Sequence, residues 1–287
     1  MVTRTSEVCV RPMSENVFKY PGAKTQMANW IIDKFPAHRT YVEVFGGSAA
    51  VLANKDKSQV EIYNDADGDL VHFFETLRDN GKELREWLSQ TPHSRELHDK
   101  YATEYYDGYR PDDDIERAGR FFYLRETQFA QKYTKKSGYS YQKKRNGARA
   151  LHTKVDRLTE WQERFRHVQI EQLDCVDLID RYDSPKTFFY CDPPYMDEGD
   201  DLYSQESFNH GAVVDALSNI EATWVVSYTR VPEPLRELAE TMYSQDRQVS
   251  MRKGQGDWEK TNTERLVLNY DPETEPLFSA AEQETLI

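Results

Sequence analysis

The run Thr187-Phe188-Phe189-Tyr190-Cys191-Asp192-Pro193-Pro194-Tyr195 ends an apolar stretch in an acid, two prolines and a tyrosine. Read as a buried strand, it leaves two acceptors at its carboxyl end. An ionised Asp192 can only accept hydrogen bonds, and Pro193 offers a carbonyl with no N–H of its own. Each proline holds the residue before it in extended geometry, which keeps Asp192 and Pro193 out of a helix. Tyr195 adds an aromatic face, worth roughly 1–3 kcal/mol to a stacked base. An exocyclic amine on a planar ring, such as that of adenine, is a poor nucleophile because its lone pair is delocalised. A corner that takes both amine protons and stacks the ring could aim that nitrogen at a methyl donor. A strand followed by a proline turn would carry the same letters, so other positions must decide.

Those positions fall at the ends of other predicted strands. Tyr41-Val42-Glu43-Val44-Phe45 reads as a strand, followed by Gly46-Gly47-Ser48 and an apolar helix Ala49-Ala50-Val51-Leu52-Ala53. Gly46 and Gly47 would let backbone approach a ligand where a side chain would collide. Val60-Glu61-Ile62-Tyr63 is a second strand, ending at Asn64-Asp65-Ala66-Asp67-Gly68-Asp69. There Asp65 is placed to accept from ribose hydroxyls, although an aspartate in a turn is equally common. Further strands are expected at Val168-Gln169-Ile170, Thr223 to Ser227 and Thr263 to Tyr270, with helices near Asp174, His210 and Pro232. Asp174 follows a strand and opens a helix, which suits either an N-cap or a ligand contact. Alternating elements imply an α/β fold with a mainly parallel sheet, helices on both faces, and the ligand beyond the strands' carboxyl ends.

A chain of 287 residues can bury a large core, and between Gly81 and about Phe165 the pattern changes to helices rich in charge and aromatics. We divide it into a catalytic unit of residues 1–78 and 166–270, an inserted module of 79–165, and a polar tail of 271–287. The net charge of −13 argues against a nucleic-acid partner only as an average. From Thr127 to Val155 there is no Asp or Glu, while Lys132, Lys135, Lys136, Lys143, Lys144, Arg145, Arg149 and Lys154 lie there among Tyr133, Tyr139 and Tyr141. Cations mixed with tyrosines and glycines suit a loop entering a groove. Arg125, Gln128, Lys132, Tyr139, Gln142 and Arg145 are the expected base readers, with Lys135, Lys136, Lys143 and Lys144 on phosphates. Cys9, Cys175 and Cys191 form no CxxC pair, which argues against a disulfide framework or a zinc site. No apolar run is long enough to span a bilayer, so a soluble, cytoplasmic, metal-free monomer is expected.

Taken in order, Phe18-Lys19-Tyr20-Pro21-Gly22-Ala23-Lys24, Glu43 to Ser48, Asp65 to Leu70 and Asp192 to Tyr195 resemble the Dam-like (D12 class) DNA adenine N6-methyltransferases, from about residue 18 to 270. The resemblance implies a Rossmann-like methyltransferase sheet carrying an inserted, mainly helical DNA-recognition module. It implies S-adenosylmethionine as cofactor, held by Tyr20, Lys24, Phe45, Gly46, Gly47, Asp65, Asp174 and Asp192. It further implies double-stranded DNA as partner, with Asp192, Pro193, Pro194 and Tyr195 acting on a flipped-out adenine, and GATC as a family-based target. The chain departs from the family at Val44 and Ala49, where Pro and Gly are usual, and at Ala23, where Gly is common. Three alternatives follow from the same residues. One is an aminomethylase for cytosine N4, RNA adenine or protein glutamine; another is a catalytically silent protein that binds cofactor or DNA. The third, a nicotinamide dehydrogenase, lacks the full three-glycine spacing.

Overall fold

The computed structural model describes residues 16–129, 135–141, 146–194, 208–253 and 256–274, without the side chains of 248–253 and 256–261. Its centre is a seven-stranded sheet in the order β3-β2-β1-β4-β5-β7-β6. Strands β1 (Thr40–Glu43), β2 (Val60–Asn64), β3 (Gln169–Glu171), β4 (Thr187–Cys191) and β5 (Thr223–Tyr228) run parallel. β7 (Gly256–Leu268) is antiparallel to β5, and β6 (Thr241–Lys253) is antiparallel to β7 at the edge. The predicted alternation of strands and helices is therefore met, and β6 is a strand the sequence reading omits. The strand order reverses between β1 and β4, which opens a crevice at their carboxyl ends.

Side-chain alternation gives the sheet a core on each face. Tyr41, Phe188, Tyr190, Val225 and Leu266 belong to one core, Val42, Phe189, Cys191, Val226 and Val267 to the other. The second core is closed by α7 (Cys175–Tyr182), α8 (His210–Ser218) and α9 (Glu233–Glu237), through Leu178, Val213, Leu217 and Leu235. The first receives α1 (Ala28–Ile32), α2 (Ala50–Asn54) and the four helices between β2 and β3: α3 (Gly68–Gln90), α4 (Arg95–Tyr106), α5 (Asp114–Thr127) and α6 (Gly147–Phe165).

α3 packs on α5 and α6, and Leu84, Leu88, Leu158 and Trp161 share one buried cluster with Tyr41 and Tyr63. The expected division at 78/79 falls inside α3, just before Asn80, whose φ of −129° and ψ of 32° interrupt the helix. A buried ion cluster fixes α6 to the sheet. Arg164 donates to both carboxylate oxygens of Glu61 on β2, and Lys55 donates to Glu61 at 2.7 Å. Burial pushes the Glu61 carboxyl up, but Lys55 and Arg164 outweigh it and bring it to about 2.

Candidate active site

Two ends of the sheet's central strands face each other across a cavity of about 370 Å³. Asp192, Pro193 and Pro194 form one wall after β4; Phe45, Gly46 and Gly47 form another after β1. Tyr20, Lys24, Asp65 and Asp174 line it as well. The sequence motifs thus meet at the switch point, where the topology places a ligand. Tyr195 lies outside the described residues, as do Lys132, Gln142, Lys143, Lys144 and Arg145.

The glycine turn has a more specific cause than ligand approach alone. A Cβ on Gly46 would lie 2.1 Å from the Tyr63 ring, so the turn and β2 can pack only with glycine there. Gly47 has φ of 49°, the left-handed region, and a Cβ on it would lie 2.9 Å from the Tyr20 ring. Ala49, next to start α2, is also left-handed, at φ 55°. The Tyr63 hydroxyl donates to the Gly47 carbonyl at 2.8 Å, which ties the turn to β2.

Asp65 serves the same turn. One of its oxygens accepts from the Gly47 N–H at 2.8 Å and the other from the Asp67 N–H at 2.9 Å. Burial raises its carboxyl to about 6 against those bonds. Asp67 caps α3 by accepting from the Asp69 N–H at 2.8 Å, and it lines the cavity too. Asp174 caps α7, accepting from the Val176 N–H at 2.9 Å, while it borders the cavity; cap and wall are one residue. Asn64 bonds the Val44 and Leu173 backbones and so clamps the ends of β1, β2 and the segment before α7. Phe208 meets Phe45 edge-to-face at 5.6 Å on the cavity wall. The sequence reading takes only Asp65 from the run Asn64 to Asp69, and Phe208 escapes it because nothing in its local spacing sets it apart.

At the centre, Lys24 is 4% exposed and its ammonium donates to both oxygens of Asp192, at 2.8 and 2.7 Å. A second carboxylate, Glu264 on β7, lies 3.8 Å from the same nitrogen and receives the Ser227 hydroxyl. Glu43 completes the group. It accepts from the Tyr41 hydroxyl and the Leu52 N–H, each at 2.8 Å, yet burial, reinforced by the nearby Asp192, raises its carboxyl to about 8. At neutral pH it is protonated and adds no charge beside Asp192. Lys24 is thus buried rather than a surface cation, and its ammonium grips the Asp192 carboxylate at the cavity wall.

A family model for D12 class N6 adenine-specific DNA methyltransferases matches residues 20–215, from the aromatic of the first motif to α8. The chain belongs to this family. It is therefore an adenine N6 DNA methyltransferase, an enzyme class that draws its methyl group from S-adenosylmethionine. Two solved structures are similar in backbone. Precorrin 8w decarboxylase from Methanobacterium thermoautotrophicum is 8% identical with TM-score 0.35, over 85% of this chain and 88% of that one. Precorrin-6y C5,15-methyltransferase from Geobacter metallireducens GS-15 is 10% identical with TM-score 0.37, over 91% and 96%. No curated protein sequence matches the chain.

The expected DNA readers separate into two groups. Lys135 and Lys136 are exposed, and Lys136 donates to the Thr103 hydroxyl at 2.7 Å. Arg125 and Gln128 are each only 4% exposed, which corrects the expectation that they face a groove. Gln128 donates to the Tyr106 hydroxyl at 2.7 Å, and the Arg125 guanidinium lies over the Tyr105 and Phe121 rings. Both are held inward because α5 is packed on α3 and α4 along this turn. Tyr139 is half-buried, its hydroxyl 2.5 Å from His93 Nδ1, whereas Phe129 and Tyr141 are 64% and 67% exposed. Among the described residues, no helix is long and apolar enough to cross a membrane, and no cluster of His, Cys, Asp or Glu could hold a metal ion.

Proposed function

We propose that the family's reaction runs at the Lys24–Asp192 corner on an adenine rotated out of duplex DNA. The observation that carries this reading is the convergence of Asp192, Pro193 and Pro194 with the glycine turn and with Asp65, Asp67 and Asp174 on one cavity. Asp192 and the Pro193 carbonyl receive the two protons of the amine, and Lys24 holds Asp192 in the accepting orientation. Tyr195 stacks on the extruded ring. With both N–H groups hydrogen-bonded to these acceptors, the nitrogen rehybridises and its lone pair turns toward the cofactor side of the cavity; one of the two protons is released once the new N–C bond has formed.

The cofactor side suits S-adenosylmethionine. Tyr20, Phe45 and Phe208 offer aromatic surface; Asp65, Asp67 and Asp174 offer acceptors for hydroxyl and amine groups; and Gly46 and Gly47 keep the floor low. When bound, that group supplies a methyl carbon activated by a sulfonium. The protein contributes position and electrostatics. We assign residues 79–165 the role of target recognition, with Lys132, Lys135, Lys136, Lys143, Lys144 and Arg145 on phosphates and bases, acting on a site for which GATC is the family-based candidate.

A duplex with 2-aminopurine at the target base tests the flip. Its fluorescence should rise on binding, both in the natural chain and in Asp192→Asn, whereas on the same duplex with adenine at the target base methylated-nucleoside analysis should find N6-methyladenine only with the natural chain. Full turnover by Asp192→Asn would remove Asp192 from the mechanism. Turnover without a fluorescence rise would remove the flip.

A further inference from the structure

A row of polar side chains crosses one face of the sheet at the carboxyl ends of its strands, where that face is otherwise apolar. β1 and β4 are in register at Glu43 and Tyr190, and β5 and β7 at Ser227 and Leu266. Alternation puts Glu43, Tyr190, Ser227 and Glu264 on the face whose core holds Tyr41, Val225 and Leu266, and Asp192 follows two residues past Tyr190. Burial first, then the nearby Asp192, Glu43 and Glu264, push the Tyr190 hydroxyl far above its ordinary value, so three carboxyl groups lie around one buried phenol.

Glu264 is 3% exposed and stands behind the cavity wall rather than on it. A buried carboxylate is costly unless it is hydrogen-bonded and paired. Ser227, itself fully buried, donates its hydroxyl to one Glu264 oxygen, and the same oxygen lies 3.8 Å from the Lys24 ammonium. Lys24 and Asp192 do line the cavity, so Glu264 reaches it through Lys24. Without Glu264 the ammonium would cancel the charge of Asp192, because Glu43 beside them is protonated at neutral pH. With it, one cation faces two carboxylates and the corner keeps a negative charge. Methylation of an amine needs that charge. The N–C bond forms from the nitrogen's lone pair while the C–S pair stays on sulfur, so positive charge arrives on the nitrogen until one amine proton passes to water. A negative field fixed where that charge develops lowers the barrier. Sharing the ammonium also loosens its grip on Asp192, which leaves the carboxylate a stronger acceptor.

We propose that Glu264 is a positioning residue for methyl transfer: it takes a share of the Lys24 ammonium, so that Asp192 meets the adenine amine as part of a net negative group. The inference rests on Asp192 receiving that amine, and its test includes a binding measurement made without turnover.

E264Q removes the charge and keeps the shape, and its carbonyl can still accept from Ser227. In calorimetry without DNA, the chain's preference for S-adenosylmethionine over the neutral thioether S-adenosylhomocysteine should fall about threefold in E264Q, with affinity for the thioether unchanged. In single turnovers of preformed protein–cofactor–duplex complexes, the rate of transfer should fall about tenfold. E264D keeps the charge on a shorter stem and should recover most of both losses. A folded E264Q with the natural preference or the natural rate would overturn the proposal. So would an E264D slower than E264Q, since that order marks a role in hydrogen bonding or packing rather than in charge. If E264Q melts early, S227A/E264M makes both ends of the buried hydrogen bond apolar and should show the same two losses; natural values there would overturn the proposal equally. Loss of transfer in Asp192→Asn beside a natural rate in E264Q would sink the Glu264 assignment alone. Full turnover by Asp192→Asn would take down the reading beneath it as well.

Discussion

Glu43→Gln is the substitution whose effect the structure fixes most closely. Burial raises the Glu43 carboxyl from 4.5 to about 8, so the folded chain keeps a proton that the unfolded chain releases between those values. A group raised in this way contributes its full stability below pH 4.5 and loses it as pH rises through 8. Each pH step above 4.5 costs about 1.4 kcal/mol, so at pH 7 the carboxyl costs up to about 3 kcal/mol relative to a group that cannot ionise. Glutamine is such a group, with nearly the same shape. Its carbonyl can accept from the Tyr41 hydroxyl and the Leu52 N–H as Glu43 does. The variant should therefore melt with the natural chain near pH 4.5 and about 5 °C above it at pH 7. Thermal melts at intervals from pH 4.5 to 9 measure this. Parallel curves for the two chains would mean that Glu43 does not hold its proton in the fold, and the charge balance argued for the corner would be wrong.

Asp192→Asn should lower kcat by about 100-fold or more, with duplex affinity within threefold, in a tritium-transfer assay against filter binding. Gly46→Ala must displace the Tyr63 ring and should cost about 1–3 kcal/mol by thermal melt, less when Tyr63→Leu is also present. Lys24→Met takes the ammonium from between Asp192 and Glu264 and should destabilise the chain by about 3–5 kcal/mol, read as an early melting transition. Reversing Lys143, Lys144 and Arg145 to Glu should weaken duplex binding and flatten its salt dependence; an unchanged slope would take that segment off the DNA.

The central parallel strands were legible because β1, β2, β4 and β5 are largely buried on both faces, with Thr187 to Cys191 the clearest apolar run. β6 was not, because from Ser244 to Gln248 every residue is polar, so no period-two apolar signal runs through the strand. The motifs gave the cavity's rim. They did not give its internal bonds: Asp65 reads as a ligand acceptor, and its two oxygens also receive the Gly47 and Asp67 amides. Likewise Arg125 and Gln128 are reader types in a basic neighbourhood, and only the packing of Tyr105, Tyr106 and Phe121 around them turns them inward.

The partners of Lys24 illustrate the limit best. Asp192 is 168 residues away in sequence and Glu264 farther still, and no local pattern joins them. Their meeting sets the electrostatics of the corner. One ammonium stands between two carboxylates, and a third carboxyl, Glu43, is kept neutral by burial. With Asp65, Asp67 and Asp174 on the wall as well, the cavity carries an excess of acidic groups, which attracts a cationic methyl donor more than the neutral thioether left after transfer. Were Glu43 ionised as well, it would add a further negative charge beside the cavity and compete with Asp192 for Lys24. Raising the pH through 8 ionises Glu43 in the natural chain but not in Glu43→Gln, so cofactor affinity measured by calorimetry should diverge between the two above pH 8 and coincide at pH 6. Coincidence at both values would show that Glu43 is electrostatically remote from the donor's site.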